Sequence, residues 1–118
     1  MNQNKIYNDV TKMSNYYVYV IELDKAVRYD KKFRVKNPKY INGTACFYVG
    51  QSVRNPVLRF EQHKEGYKAN RYAKEYGLKL RPDLYKKYNP IPTRKDAEEI
   101  EEMIGRKLRK LGLGVWFN

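Results

Sequence analysis

Two short stretches alternate aromatic and β-branched residues as strands do: YYVYVIEL at 16–23 and ACFYVGQS at 45–52. Period two sets Tyr17 and Tyr19 on one sheet face and Val18 and Val20 on the other. Gly50 ends the second run, and the two strands lie close enough in sequence to pair antiparallel. The rhythm changes at Asn55-Pro56, an N-cap asparagine followed by a proline at the first helical position, where its missing N–H costs nothing. Val57 and Phe60 are expected to form that helix's buried face. NRYAKEYG at 70–77 reads as a short helix stopped by Gly77. LYKKY at 84–88 reads as a third, edge strand, closed by the prolines of NPIPT. Thr93 and Asp96 open the last helix as a capping box does, with its end near Leu111 and Gly112 just beyond. Ala97, Ile100, Ile104, Leu108 and Leu111 share one stripe of it, and the apolar tail LGVWFN should dock on the core. Residues 24–44 are basic and contain the turn signals Asn37-Pro38 and Asn42-Gly43. They predict a long connection with a short strand pair around 26–35. Residues 1–14 are polar, and a loose or weakly helical segment is expected there. The pattern is that of one α+β domain over residues 1–118: a small antiparallel sheet of about three strands flanked by helices.

Charge narrows the partners. Lys and Arg total 25 against 13 acids, a net charge of +12. Five of the acids fall within residues 96–102, so residues 1–95 carry 21 basic and 8 acidic side chains. Such a surface attracts polyanions, nucleic acid first among them. The basic residues are scattered and form no compact amphipathic cluster, which disfavours a membrane surface, and no apolar run approaches the ~20 residues of a membrane span. The N-terminal residues have no apolar segment of the kind a secretory signal needs. A single cysteine, Cys46, allows neither an internal disulfide nor a multi-cysteine metal site. A cytoplasmic, reducing setting is the expectation.

Glutamates on the last helix separate by geometry. At ~100° per residue, Glu98, Glu99 and Glu102 point away from the apolar stripe, whereas Glu101 lies about 40° from Ala97, turned toward the body of the protein. Burying a carboxylate is unfavourable unless a cation, a metal or hydrogen bonds compensate. Either an arginine salt bridge or a metal site meets that need. A hard oxygen site completed by water and phosphate suits Mg²⁺ with a single protein carboxylate. Arg59 and the only histidine, His63, are four apart and share a helix face; such a pair is also common on solvated helices.

In order along the chain, these residues resemble the GIY-YIG nuclease superfamily. YVY at 17–19 stands where that family has its first tripeptide, and YVG at 48–50 stands for the second. RFEQH at 59–63 matches the family's arginine with a histidine one turn on. AEEIE at 97–101 matches the alanine-led helix that supplies its metal-binding glutamate, which falls on Glu101. Asn118 fits an asparagine found after that helix in many members. The resemblance spans about residues 16–118. Two features depart from it: Tyr17 replaces the glycine of the first tripeptide, and the connection between the tripeptides is far longer than the family's hairpin.

The resemblance implies a metal-dependent endonuclease that hydrolyses phosphodiester bonds in DNA, RNA remaining open, with Mg²⁺ or Mn²⁺ and no small-molecule cofactor. In that mechanism Glu101 holds the cation and Arg59 binds the scissile phosphate as a fork donor. Tyr19 or Tyr48 orients or deprotonates water, and His63 assists or accepts a proton. A tyrosine near pKa 10 is a poor base unless Arg59, a lysine or the metal lowers it. Gly50, Gln51, Ser52, Arg54, Lys64 and Asn118 are candidate nucleic-acid contacts, helped by the helix N-terminus at Pro56. The basic 24–44 connection is expected to be a substrate-gripping flap. The competing reading keeps the fold and loses the reaction, as a catalytically inactive nucleic-acid-binding module; a basic protein–protein adaptor leaves the inward glutamate unexplained.

Overall fold

A computed structural model describes residues 15–118; the segment expected to be loose, 1–14, lies outside the described residues. Strands β1 (Tyr17–Leu23) and β2 (Cys46–Ser52) pair antiparallel, with Tyr19 opposite Gly50 and Ile21 opposite Tyr48. Strand β3 (Gly77–Leu80) adds antiparallel to the free edge of β1, and β4 (Gly114–Trp116) adds parallel to β2. The sheet order is β3-β1-β2-β4. The fold is α+β, as the sequence pattern implies, but the sheet is four-stranded and mixed. The docked tail is itself a strand.

The third strand lies earlier than expected, at 77–80, while 82–88 forms two single 3₁₀ turns. Gly77 does not turn the chain out of the helix in a left-handed conformation; its φ of −63° and ψ of 127° carry straight on into a strand. A Cβ there would collide with the Ala73 carbonyl oxygen, which explains the glycine. Beyond Pro82, the Asn89 side chain does what a strand would have done. Its Oδ1 accepts from the Val18 N–H at 2.9 Å and its Nδ2 donates to the Val18 carbonyl at 2.8 Å.

Helices cover both faces. On the face bearing Tyr19, Ile21, Cys46 and Tyr48 lie α1 (Lys31–Lys36), α2 (Pro56–Glu65) and α3 (Arg71–Tyr76). Phe33 of α1 sits against Cys46 and Gly114, and His63 of α2 lies against Tyr19 and Tyr48. The opposite face, with Val18, Val20, Val49 and Val115 sealed from solvent, packs against α4 (Arg94–Lys110). Ala97, Ile104 and Leu108 are buried on α4 as the stripe predicts, and Thr93 Oγ1 caps it by accepting the Asp96 N–H at 3.0 Å. Leu111, the C-cap residue at the end of the helix, breaks the expectation at 63% exposure. On α2 the buried face is His63 with Phe60 half-buried, whereas Val57 is exposed.

The 24–44 connection is not a flap. A 3₁₀ turn (Lys25–Tyr29) and α1 replace the expected strand pair. Asp24 and Asp30 cap them, accepting from the Ala26 and Phe33 N–H groups. Val27 and Phe33 are fully buried. Buried Asn37 accepts the Val115 N–H at 2.8 Å and the Arg109 Nε–H at 3.1 Å, so the segment helps hold β4 in the sheet.

Candidate active site

Strand register brings the first groups together. Opposite Tyr19 stands Gly50, where an added Cβ would lie 2.5 Å from Tyr19 Oη and 3.0 Å from the Tyr48 ring. Glycine lets the Tyr19 hydroxyl pass over β2 at this point. That hydroxyl lies 2.8 Å from His63 Nε2, and the Tyr48 ring meets the same imidazole edge-on, centroids 5.5 Å apart.

The state of the imidazole follows from its partners. Burial, reinforced by the Arg59 charge, lowers the His63 pKa to about 4, so the ring is neutral at pH 7. The Asn70 backbone N–H donates to Nδ1 at 3.1 Å, which requires a lone pair there. The ring proton is therefore on Nε2 and is donated to Tyr19 Oη. His63 acts on Tyr19 as a donor, not as a base.

Both tyrosines hold their protons at neutral pH. Burial raises Tyr19 well above 10, with the Tyr48 hydroxyl adding to the rise and Arg59 partly opposing it. Burial, then the Glu101 carboxylate, raises Tyr48. The expected lowering by Arg59 is present but smaller than the cost of desolvation.

Arg59 is held by carbonyls. Its Nη1 donates to Gln62 Oε1 at 3.3 Å and to the Tyr67 carbonyl at 3.1 Å, and Nη2 donates to the Lys68 carbonyl at 2.8 Å. No carboxylate pairs with it among the described residues, so its charge remains available to an anion. The segment after α2 makes this possible. Gly66 at φ +90° and Lys68 at φ +43° curl the chain back so that the two carbonyls face the guanidinium. The same segment ends at Asn70, which fixes His63 and caps α3. Sequence reasoning missed these positioning residues; the signal was a glycine closing one helix and an asparagine opening the next.

Glu101 is buried, as its helical position predicts, at 4% exposure, and Glu98, Glu99 and Glu102 are exposed. The salt bridge that would explain it is absent among the described residues. Its nearest hydrogen-bonding partner there is the Asn118 N–H, at 3.5 Å. Burial raises its pKa to about 7, offset in part by that N–H and increased by Glu98 and Glu102. Strand β4 pairs only with residues 46–48 of β2. At its open end Asn118 lies between Glu101 and Tyr48 and, by its side chain, lowers the Tyr48 pKa. A buried carboxylate without a cationic partner fits a divalent ion. No group of three His, Cys, Asp or Glu able to hold one occurs among the described residues. A divalent ion held at Glu101 would take most of its shell from water and phosphate.

The remaining candidates divide. Ser52 lies on the tyrosine face, and its Oγ accepts the Arg54 N–H at 2.9 Å, shaping the turn into α2; Arg54 is exposed. Gln51 alternates to the other face of the sheet, and its Oε1 is buried without a partner among the described residues. Lys64 is a structural tie, donating to the Lys74 carbonyl at 2.8 Å and the Gly77 carbonyl at 2.9 Å. No described helix is long and apolar enough to cross a membrane.

No protein-family model, curated protein or solved structure matches this chain.

Proposed function

We propose that the chain is a GIY-YIG-type endonuclease that hydrolyses phosphodiester bonds in DNA with the aid of Mg²⁺ or Mn²⁺. The observation that carries this reading is the cluster of Tyr19, Tyr48 and His63 at Gly50, with the Arg59 and Glu101 charges near enough to act on both tyrosines. Arg59, fixed by loop carbonyls and free of acid, binds the scissile phosphate and stabilises its developing charge. Glu101 would hold the cation, which when bound supplies charge stabilisation at the leaving oxygen. Of the two tyrosines, Tyr19 is better suited to act on water. Its oxygen receives the His63 Nε2–H, which stabilises negative charge there; the Glu101 carboxylate and burial oppose ionisation of both tyrosines. His63 thus positions Tyr19 and supports its charged form rather than accepting its proton.

The competing reading, a binding module without catalysis, is favoured by the protonated tyrosines and by the use of Arg59 donors within the loop. Plasmid nicking with and without Mn²⁺, by the parent protein and by Glu101→Ala and Tyr19→Phe, decides. Cation-dependent nicking lost in both variants supports the nuclease. Binding with no nicking under any condition supports the module.

A further inference from the structure

Strand β4 carries the only tryptophan of the chain, Trp116, in register with Tyr48. The two side chains therefore stand side by side on one sheet face, at the ~4.8 Å spacing of neighbouring strands. Tyr72 backs the indole, with centroids 4.7 Å apart. Trp116 remains partly exposed and, with Val35, forms the apolar wall of a cavity of about 410 Å³, within the ~300–1,000 Å³ range of ligand sites. Lys31, Lys32 and Lys36 of α1 complete the lining. All three are exposed, and none has an ion-pair partner among the described residues. The adjacent carboxylate, Asp30, is already engaged by Arg71 and by the Tyr72 hydroxyl. Val35 is 69% exposed. Core packing does not call for an indole left open to water beside an exposed valine and three unpaired ammonium groups. Binding of single-stranded nucleic acid uses this combination: an aromatic surface for the base and cations for the backbone.

We propose that Trp116, Val35, Lys31, Lys32 and Lys36 form a stacking site for an unpaired nucleobase of a nucleic-acid strand. The position of the site rests on the nuclease reading above: Tyr48 is its neighbour, so the base belongs to a nucleotide close to the scissile phosphate. The substrate is accordingly a strand with an unpaired base beside the cut, since a base inside a duplex has both faces already stacked. The 24–44 segment takes part through α1, as a fixed wall.

The single tryptophan makes the test direct. Glu101→Gln protein without divalent cation is titrated with oligodeoxyuridylate, with oligouridylate and with a fully paired hairpin, following indole emission and anisotropy of labelled strands together. Saturable quenching by the single strands, and little by the hairpin, is expected; the ratio between the two single strands reads the preferred sugar. Lys31→Glu with Lys36→Glu should weaken single-strand binding about tenfold, as should Trp116→Ala, with Trp116→Phe restoring most of it. Single-strand binding with unchanged emission, quenching by the hairpin alone, or no single-strand binding overturns the proposal. So does an emission change that depends on protein concentration without nucleic acid, which would place a second copy on the site. Quenching by a parent protein that cleaves nothing overturns the nuclease reading alone.

Discussion

Tyr19 Oη and His63 Nε2 lie 2.8 Å apart, and the other imidazole nitrogen accepts the Asn70 N–H. These two contacts define one tautomer of a neutral ring. Because the chain has one histidine, its ring signals need no assignment by mutation. Nitrogen chemical shifts should report an Nε2–H imidazole unchanged from pH 8 to 5, with protonation only near 4. The folded pKa of about 4 lies below the usual 6.5. The associated stability is therefore complete above pH 6.5 and is lost as pH falls toward 4, by at most about 3 kcal/mol. Titration of the ring near pH 6.5 in the folded protein would remove the basis for the donor role.

Glu101 has the opposite pH signature. Its folded pKa of about 7 lies above the usual 4.5, so the contribution is present below pH 4.5 and is lost as pH rises through 7. Glu101→Gln should match the parent in denaturant unfolding at pH 4 and exceed it by up to about 3 kcal/mol at pH 8. Mn²⁺ should raise the parent's Tm at pH 8 and leave the variant's unchanged. Equal responses of the two proteins to Mn²⁺ would take the cation away from Glu101.

The 24–44 segment should not be removable. Replacing residues 25–42 by an Asn-Gly turn deletes Val27, Phe33 and the Asn37 bonds to Val115 and Arg109. Circular dichroism of that protein should show no cooperative thermal unfolding. Phe33→Ala alone should cost about 3–5 kcal/mol. A shortened protein that melts cooperatively would show that β4 needs no support from the segment.

What could be read in the sequence, and what could not, follows from the range of the interactions. The main strands, the start of α4 and the inward turn of Glu101 depend on local period and capping, and all are present. The 24–44 segment is hard to read because its seven basic residues dominate the pattern, while its apolar anchors are few: Val27 and Phe33, buried, and Tyr40, half-buried. Its cap residues, Asp24 and Asp30, read simply as charges. The third strand lies earlier than the pattern suggests because Asn89, a single side chain, takes β1 backbone groups that a strand at 84–88 would pair with. At the site, residue types were legible but states were not. The tautomer of His63, the carbonyl bonds of Arg59 and the carbonyl ties of Lys64 all depend on residues 66–77, which carry no catalytic motif.

Gly50 offers the sharpest test of the site's geometry. Its Cβ position is occupied by the Tyr19 hydroxyl, 2.5 Å away, so Gly50→Ala must displace the tyrosine or spread the β1–β2 pair. Displacing the hydroxyl removes the acceptor of the His63 Nε2–H, leaving a buried donor unmet at a cost of about 1–3 kcal/mol. Cleavage should fall at least as far as it does in Tyr19→Phe, while affinity for nucleic acid under cation-free conditions stays within about twofold, because the charge that holds the backbone is untouched. Gly43→Ala is the control. It meets nothing within 4 Å, and its strain comes only from φ +91°, so it should lower stability by about 1 kcal/mol without altering the imidazole signals. If Gly50→Ala leaves both the His63 nitrogen shifts and the cleavage rate at parental values, the Tyr19–His63 contact has no part in the reaction.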